Sequence, residues 1–190
     1  MIYIIYDTAL NGPYTLMLLQ NTYPVNRSLF TETKDAVLSD VAPYLFLVDE
    51  NLFKKINGPS VSLEAIVIVE SDERINDLLS HFQQFIYENK NGKEYFFRFW
   101  DARVLERFLP VYAEVKRHTF FEGVNYFYTT DRQYTKAKSF YLIRDKLQTT
   151  DKELQQLFVL NDHAAQYSES ENIAIDEKGQ QKKERRKYFS

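Results

Sequence analysis

The chain has no cysteine, so disulfide frameworks and thiolate metal sites are excluded, and a reducing compartment suits it. Glycine is scarce, at 5 of 190 residues. Positions 12, 58, 92, 123 and 179 form neither a dinucleotide fingerprint nor a phosphate-cradling loop, and Gly92-Lys93 runs into Glu94 with no hydroxyl to hold magnesium. Charge of one sign is lacking too: the formal net charge is −3, too near neutral for nucleic-acid binding by bulk electrostatics. No apolar run reaches the length of a membrane span. His81, His118 and His163 fall in no metal-ligand spacing, and no G-x-S-x-G elbow is present. These absences lead to an expectation of no catalysis, no cofactor, no metal, no small-molecule substrate, no nucleic acid and no membrane.

What is abundant is aromatic side chain, at 16% of residues. Ile2-Tyr3-Ile4-Ile5-Tyr6, cut off by Asp7 and lacking a basic lead-in, reads as a buried first strand, not a signal peptide. Asn11-Gly12-Pro13 predicts a helix start capped by Asn11. Pro43 opens a second strand, Tyr44 to Val48, where a proline's missing N–H is tolerated. Ala65 to Val69 reads as a strand buried on both faces, as in a parallel sheet. Ser71 then caps an amphipathic helix carrying Ile75, Leu78, Leu79, Phe82, Phe85 and Ile86, with His81 on its polar side. Asn91-Gly92 turns the chain into a strand from Tyr95 to Trp100, giving a right-handed strand–helix–strand unit.

Asp101 caps a helix with Val104, Leu105, Phe108 and Leu109 inward, Pro110 ends it, and another helix runs to Phe121. Val124 to Tyr128 and Ser139 to Ile143 predict a closing hairpin. Thr150-Asp151-Lys152-Glu153 has the form of a capping box opening a last helix. The expected fold is therefore α/β: a mixed, partly parallel sheet flanked by helices, with a C-terminal helical addition. Its expected divisions are 1–146 for the α/β domain, 147–168 for the helix packed on it, and 169–190 for a polar, basic and flexible tail.

One stretch changes the functional argument. Phe97-Arg98-Phe99-Trp100-Asp101-Ala102-Arg103-Val104, then Leu109-Pro110 and Phe120-Phe121, follow Asp7 and Asp40-Val41-Ala42-Pro43-Tyr44-Leu45. In order and spacing this resembles a family of type VI secretion adaptors, first catalogued as a domain of unknown function (number 4123), over nearly residues 1–165. Ala102 departs from the family's usual proline, which stiffens a first helical turn without supplying a function. The resemblance implies a bacterial, cytoplasmic effector chaperone with no catalytic residues. Its partners would be a toxic effector protein and the VgrG or PAAR spike.

Elementary chemistry gives these residues structural work as well. Asp101 can cap a helix, Asp40 and Pro43 frame a strand entry, and Arg98 and Arg103 can fork onto Asp101, Asp40 or Glu106. Tyr126 and Tyr128 share the strand face opposite Phe127. Either they line a client-binding surface with Arg98 or Arg103 nearby, or helices cover them and they belong to the core. A competing reading makes the protein a nuclease or small transferase using carboxylates at strand ends, Asp7, Glu70 and Asp101.

Overall fold

A computed structural model describes residues 1–130 and 134–160, except for the side chain of Lys90. The chain divides into Met1–Val159 and Leu160–Ser190, and every element below lies in the first part. Strand β1 (Ile2–Asp7) leads into the one-turn helix α1 (Thr8–Asn11) and α2 (Pro13–Thr22). Then come β2 (Asn26–Ser28), a 3₁₀ segment (Ala36–Val41), β3 (Pro43–Val48) and α3 (Leu52–Lys55). The middle of the chain forms β4 (Val67–Glu70), α4 (Ile75–Gln83), β5 (Tyr87–Lys90) and β6 (Lys93–Phe96). It closes with α5 (Ala102–Phe108), α6 (Glu114–Phe120), β7 (Tyr126–Thr130), β8 (Lys136–Ile143), β9 (Lys146–Glu153) and a 3₁₀ turn (Leu154–Gln156).

Seven strands make one sheet in the order β2-β3-β1-β4-β7-β8-β9, and every neighbouring pair is antiparallel. The expected partly parallel sheet is thus overturned. β3 and β4 do run the same way, but β1 lies between them. An unbroken apolar strand such as Val67-Ile68-Val69 reports burial on both faces and is silent about direction. Here both faces are covered. On one, Tyr3, Ile5, Val67, Val69, Phe127 and Phe140 meet α4, α5 and α6 through Leu78, Phe82, Leu105 and Phe120. On the other, alternation places Ile4, Phe46, Ile68 and Tyr128, all buried. The chain after β9 returns there: Phe158 packs edge-on against Phe53, and the Val159 N–H donates to the Glu50 carbonyl at 2.7 Å.

Three further expectations are corrected. The strand expected from Tyr95 to Trp100 ends at Phe96, and β6 pairs only with β5 in a separate two-stranded hairpin, so there is no strand–helix–strand unit. Phe97, Phe99 and Trp100 leave the hairpin and insert into the core. The C-terminal helical addition is replaced by β9, which pairs with β8 along its whole length, so a boundary at 146 would cut a hairpin. Its two-residue turn, Arg144-Asp145, holds both residues at positive φ (50° and 64°), the twist that suits tight hairpins. The rest of the expected helix up to 168, and the tail 169–190, lie outside the described residues apart from Leu154 to Leu160.

Local chemistry also differs from the simplest reading at two caps. Asn11 does not cap the helix that follows it: Gly12 is the N-cap of α2 and no side chain caps it, while Asp7 caps α1, accepting from the Leu10 N–H. Asn11 is used tertiarily: its amide donates to the Glu64 carbonyl at 2.9 Å and its oxygen accepts from the Glu64 N–H at 2.7 Å. Ser71 accepts from the Glu73 N–H at 3.0 Å and donates to the Gly123 carbonyl, joining the exit of β4 to the approach to β7.

Phe120 is the centre of the aromatic core. It stacks on Phe127 at 5.0 Å and meets Phe85, Phe97 and Phe99 at 5.0, 6.0 and 5.6 Å. Removing that ring leaves a void walled by rigid neighbours that cannot collapse into it. Phe120→Ala is expected to cost about 3–5 kcal/mol, read as a lowered urea midpoint at unchanged slope.

Candidate functional site

The residues that carried the resemblance meet at the C-terminal end of β1. Asp7 pairs in register with Pro43, the buried first residue of β3, whose carbonyl accepts the Leu29 N–H at 2.8 Å. Phe97 and Phe99 anchor their segment in the core, leaving Arg98 between them to reach back to the sheet. Its Nη2 donates to Asp7 Oδ2 at 2.6 Å. Three residues on, Asp101 caps α5 by accepting the Arg103 N–H at 3.0 Å. The Arg103 guanidinium closes a fork on the same carboxylate, Nε to Oδ1 at 2.9 Å and Nη2 to Oδ2 at 2.8 Å.

Burial is unequal within each pair. Asp7 and Asp101 are 1% and 4% exposed, whereas the side chains of Arg98 and Arg103 are 44% and 51% exposed. Burial alone would push the Asp101 carboxyl up. The Arg103 side-chain and backbone bonds, with the charges of Arg103 and Arg98, outweigh it and hold the carboxyl below its ordinary value. Arg103 is raised in turn, chiefly by its bond to Asp101. Two buried carboxylates, each bonded to an arginine, thus turn the outer faces of those arginines to solvent.

Beside them an open groove of about 470 Å³ is lined by Asp101, Arg103, Val104, Arg107, Phe108 and Val111. The sequence places Val104, Leu105, Phe108 and Leu109 inward; Leu105 and Leu109 are buried, and Val104 and Phe108 pack against the core but stay half-exposed and line this groove. Arg107 and Val111 were not singled out by the sequence. Val111 follows Pro110 at a helix end, a context that gives no signal of exposure.

The expected fork of Arg98 onto Asp101, Asp40 or Glu106 is corrected to Asp7. Asp40 is exposed in the 3₁₀ segment and holds neither arginine, and Glu106 accepts from Thr129. Tyr126 and Tyr128 do share a face opposite Phe127, but Tyr128 is fully buried and lines no surface. Its hydroxyl donates to Glu70 Oε2 at 2.6 Å; burial and that bond raise its pKa well above the usual 10. Tyr126 is half-buried, stacked 5.7 Å from Tyr128 and 5.1 Å from Tyr141, with Lys152 Nζ 5.0 Å above its ring.

These tyrosines are not near the arginines. Tyr126 lies opposite Glu70, which lies opposite Ile2, at the far end of β1 from Asp7 and on the other sheet face. The same register separates Glu70 from Asp7 and Asp101, so the three strand-end carboxylates of the enzymatic reading do not form one site. His81, expected to be solvated, sits against Phe82 and Phe85 with Nε2 3.1 Å from the Phe120 carbonyl. His118 lies in the last turn of α6, as expected, with Nε2 3.3 Å from Asp145; His163 lies outside the described residues. Among the described residues no group of His, Asp and Glu could hold a metal ion, and no helix is long and apolar enough to cross a membrane.

The family model for a domain of unknown function, DUF4123, matches residues 2–119, which span β1 through α6 and include Asp7, Arg98, Asp101 and Arg103. The chain belongs to this family. No curated protein and no solved structure matches it.

The unequal burial sets the order of mutational costs. Arg98→Ala leaves Asp7 buried without its partner and should cost about 2–3 kcal/mol, below the full penalty of a broken buried pair because Arg98 is half-solvated. Asp7→Asn leaves an arginine that water can solvate and should cost about 1 kcal/mol. Urea midpoints rank the two.

Asp101 adds a pH signature. Its folded pKa is depressed, so its stabilisation is complete above the ordinary value of 3.8 and is lost as pH falls through the folded value. The gap in urea midpoint between wild type and Asp101→Asn should therefore be constant near neutral pH and shrink below a pH of about 4.

Proposed function

We propose that this protein is a type VI secretion adaptor that binds a cognate effector in the bacterial cytoplasm and helps load it onto the VgrG or PAAR spike, without catalysing a reaction. The observation that carries this reading is what the family's signature residues build. Two carboxylates are buried and each is paired with an arginine, so they are poorly suited to move protons; both arginines are half-exposed, and one of them, Arg103, lines an open apolar groove. Half-exposed arginines beside apolar side chains are the composition of protein-binding surfaces. Membership of the family and the resemblance of its motifs to those of secretion adaptors support the same conclusion.

Deleting the gene in its native bacterium and measuring export tests the reading. One effector should disappear from the secreted fraction while the spike protein is still exported, and the purified protein should form a stoichiometric complex with that effector. Undiminished export of every effector, or an effector that needs the protein for export yet never binds it, would overturn the proposal.

A further inference from the structure

The groove beside Arg103 has a definite chemical character. Its apolar part comes from Val104, Phe108 and Val111, and Val111 is 78% exposed. In the first turn of α6, four residues after Val111, Val115 is 80% exposed. Two large aliphatic side chains this exposed, on adjoining elements, are surface that water disfavours and a partner would cover.

Charge makes the groove selective. Arg103 and Arg107 stand one helical turn apart on α5 and both line it. Arg103 is half-exposed outside its fork with Asp101, and Arg107 has no ion-pair or hydrogen-bond partner among the described residues. Of the nearby acids, Asp101 is paired with Arg103 and Asp7 with Arg98, while Glu106 accepts from the Thr129 hydroxyl. A chain whose net charge is −3 therefore carries here an apolar groove with one guanidinium on its wall, Arg107, that has no acid of its own among the described residues.

We propose that this groove docks a short segment of a protein partner in which apolar side chains alternate with carboxylates, the apolar groups filling the space between Val104, Phe108 and Val111 and the carboxylates meeting Arg107 and the free face of Arg103. The inference takes from the adaptor reading only the identity of the partner, the effector; the chemistry of the docked segment follows from the groove itself. Recognition by arginine and carboxylate also makes the contact sensitive to salt, so the client is held firmly in one ionic setting and loosened in another.

The test uses the full chain as target for a phage-displayed library of random peptides, with Val111→Glu as counter-target. Enriched peptides should combine Leu, Ile or Phe with Asp or Glu. Their affinity should fall at least about tenfold on Val111→Glu and on Arg107→Glu, recover largely with Arg107→Lys, and stay unchanged with Tyr126→Ala. Val111 and Arg107 are exposed, so these variants should melt like wild type. Failure to enrich any peptide over the counter-target would overturn the assignment. So would peptides lacking acids, or peptides bound equally by Val111→Glu. A dimer of the wild type that Val111→Glu dissolves would name a second copy of the chain as the occupant and overturn it too. Loss of the export phenotype alone removes the adaptor reading and leaves this peptide result standing; the opposite pattern removes only the groove.

Discussion

Asp7 is a carboxylate with almost no access to water, and the placement of much else follows from giving it a partner. A charge buried to that degree needs a partner of opposite sign, and the partner is 91 positions away in Arg98. For Arg98 to arrive, the segment after β6 must abandon its strand, and it does so by sinking Phe97 and Phe99 on either side of the arginine. The same descent delivers Asp101 to the start of α5, where it both caps the helix and forks onto Arg103. One electrostatic requirement thereby fixes how the central strand, the aromatic core and α5 meet.

The aromatic residues divide their labour by chemistry. Phenylalanines dominate the face under α4, α5 and α6, where rings meet edge-on or stacked at 5 to 6 Å and the hydroxyls of Tyr3 and Tyr112 reach the Glu73 carbonyl and Glu88. Tyrosines collect on the other face at β7 and β8, where Glu70 and Lys152 give their hydroxyls and ring faces a partner. A buried tyrosine without Glu70 would leave an unsatisfied hydroxyl, so the tyrosine face and the carboxylate at the end of β4 are one arrangement.

Much of this was legible in the sequence, and the misses share physical causes. β1, β3, the cap at Asp101 and the opposed faces of Phe127 and Tyr128 followed from local pattern alone. Strand direction did not, because Val67-Ile68-Val69 looks the same to either kind of neighbour. The ending at Thr150-Asp151-Lys152-Glu153 satisfied a helix signature, yet the Arg144-Asp145 turn placed it beside β8, where ladder pairing prevailed over local capping. At the candidate site the motif residues were visible one by one, but the pairing of Arg98 with Asp7 was hidden by distance along the chain. Tyr128 showed the complementary limit: alternation fixed its face, while its burial depended on elements far from it.

The sheet order carries a consequence for how the molecule is made. β4 and β7 are neighbours, yet residues 71–125 lie between them. During synthesis β1, β3 and β4 emerge first, and the apolar edge of β4 must wait, unpaired, until the whole aromatic segment has followed. Contacts so distant along the chain are slow to form, because a long loop must close before any of them is gained. The helices within that segment can form locally in the interval, so collapse of Phe82, Phe99 and Phe120 becomes the event that brings β7 to its place. Until then the nascent protein exposes an incomplete sheet edge and passes through a stage in which that edge is open to the wrong strand.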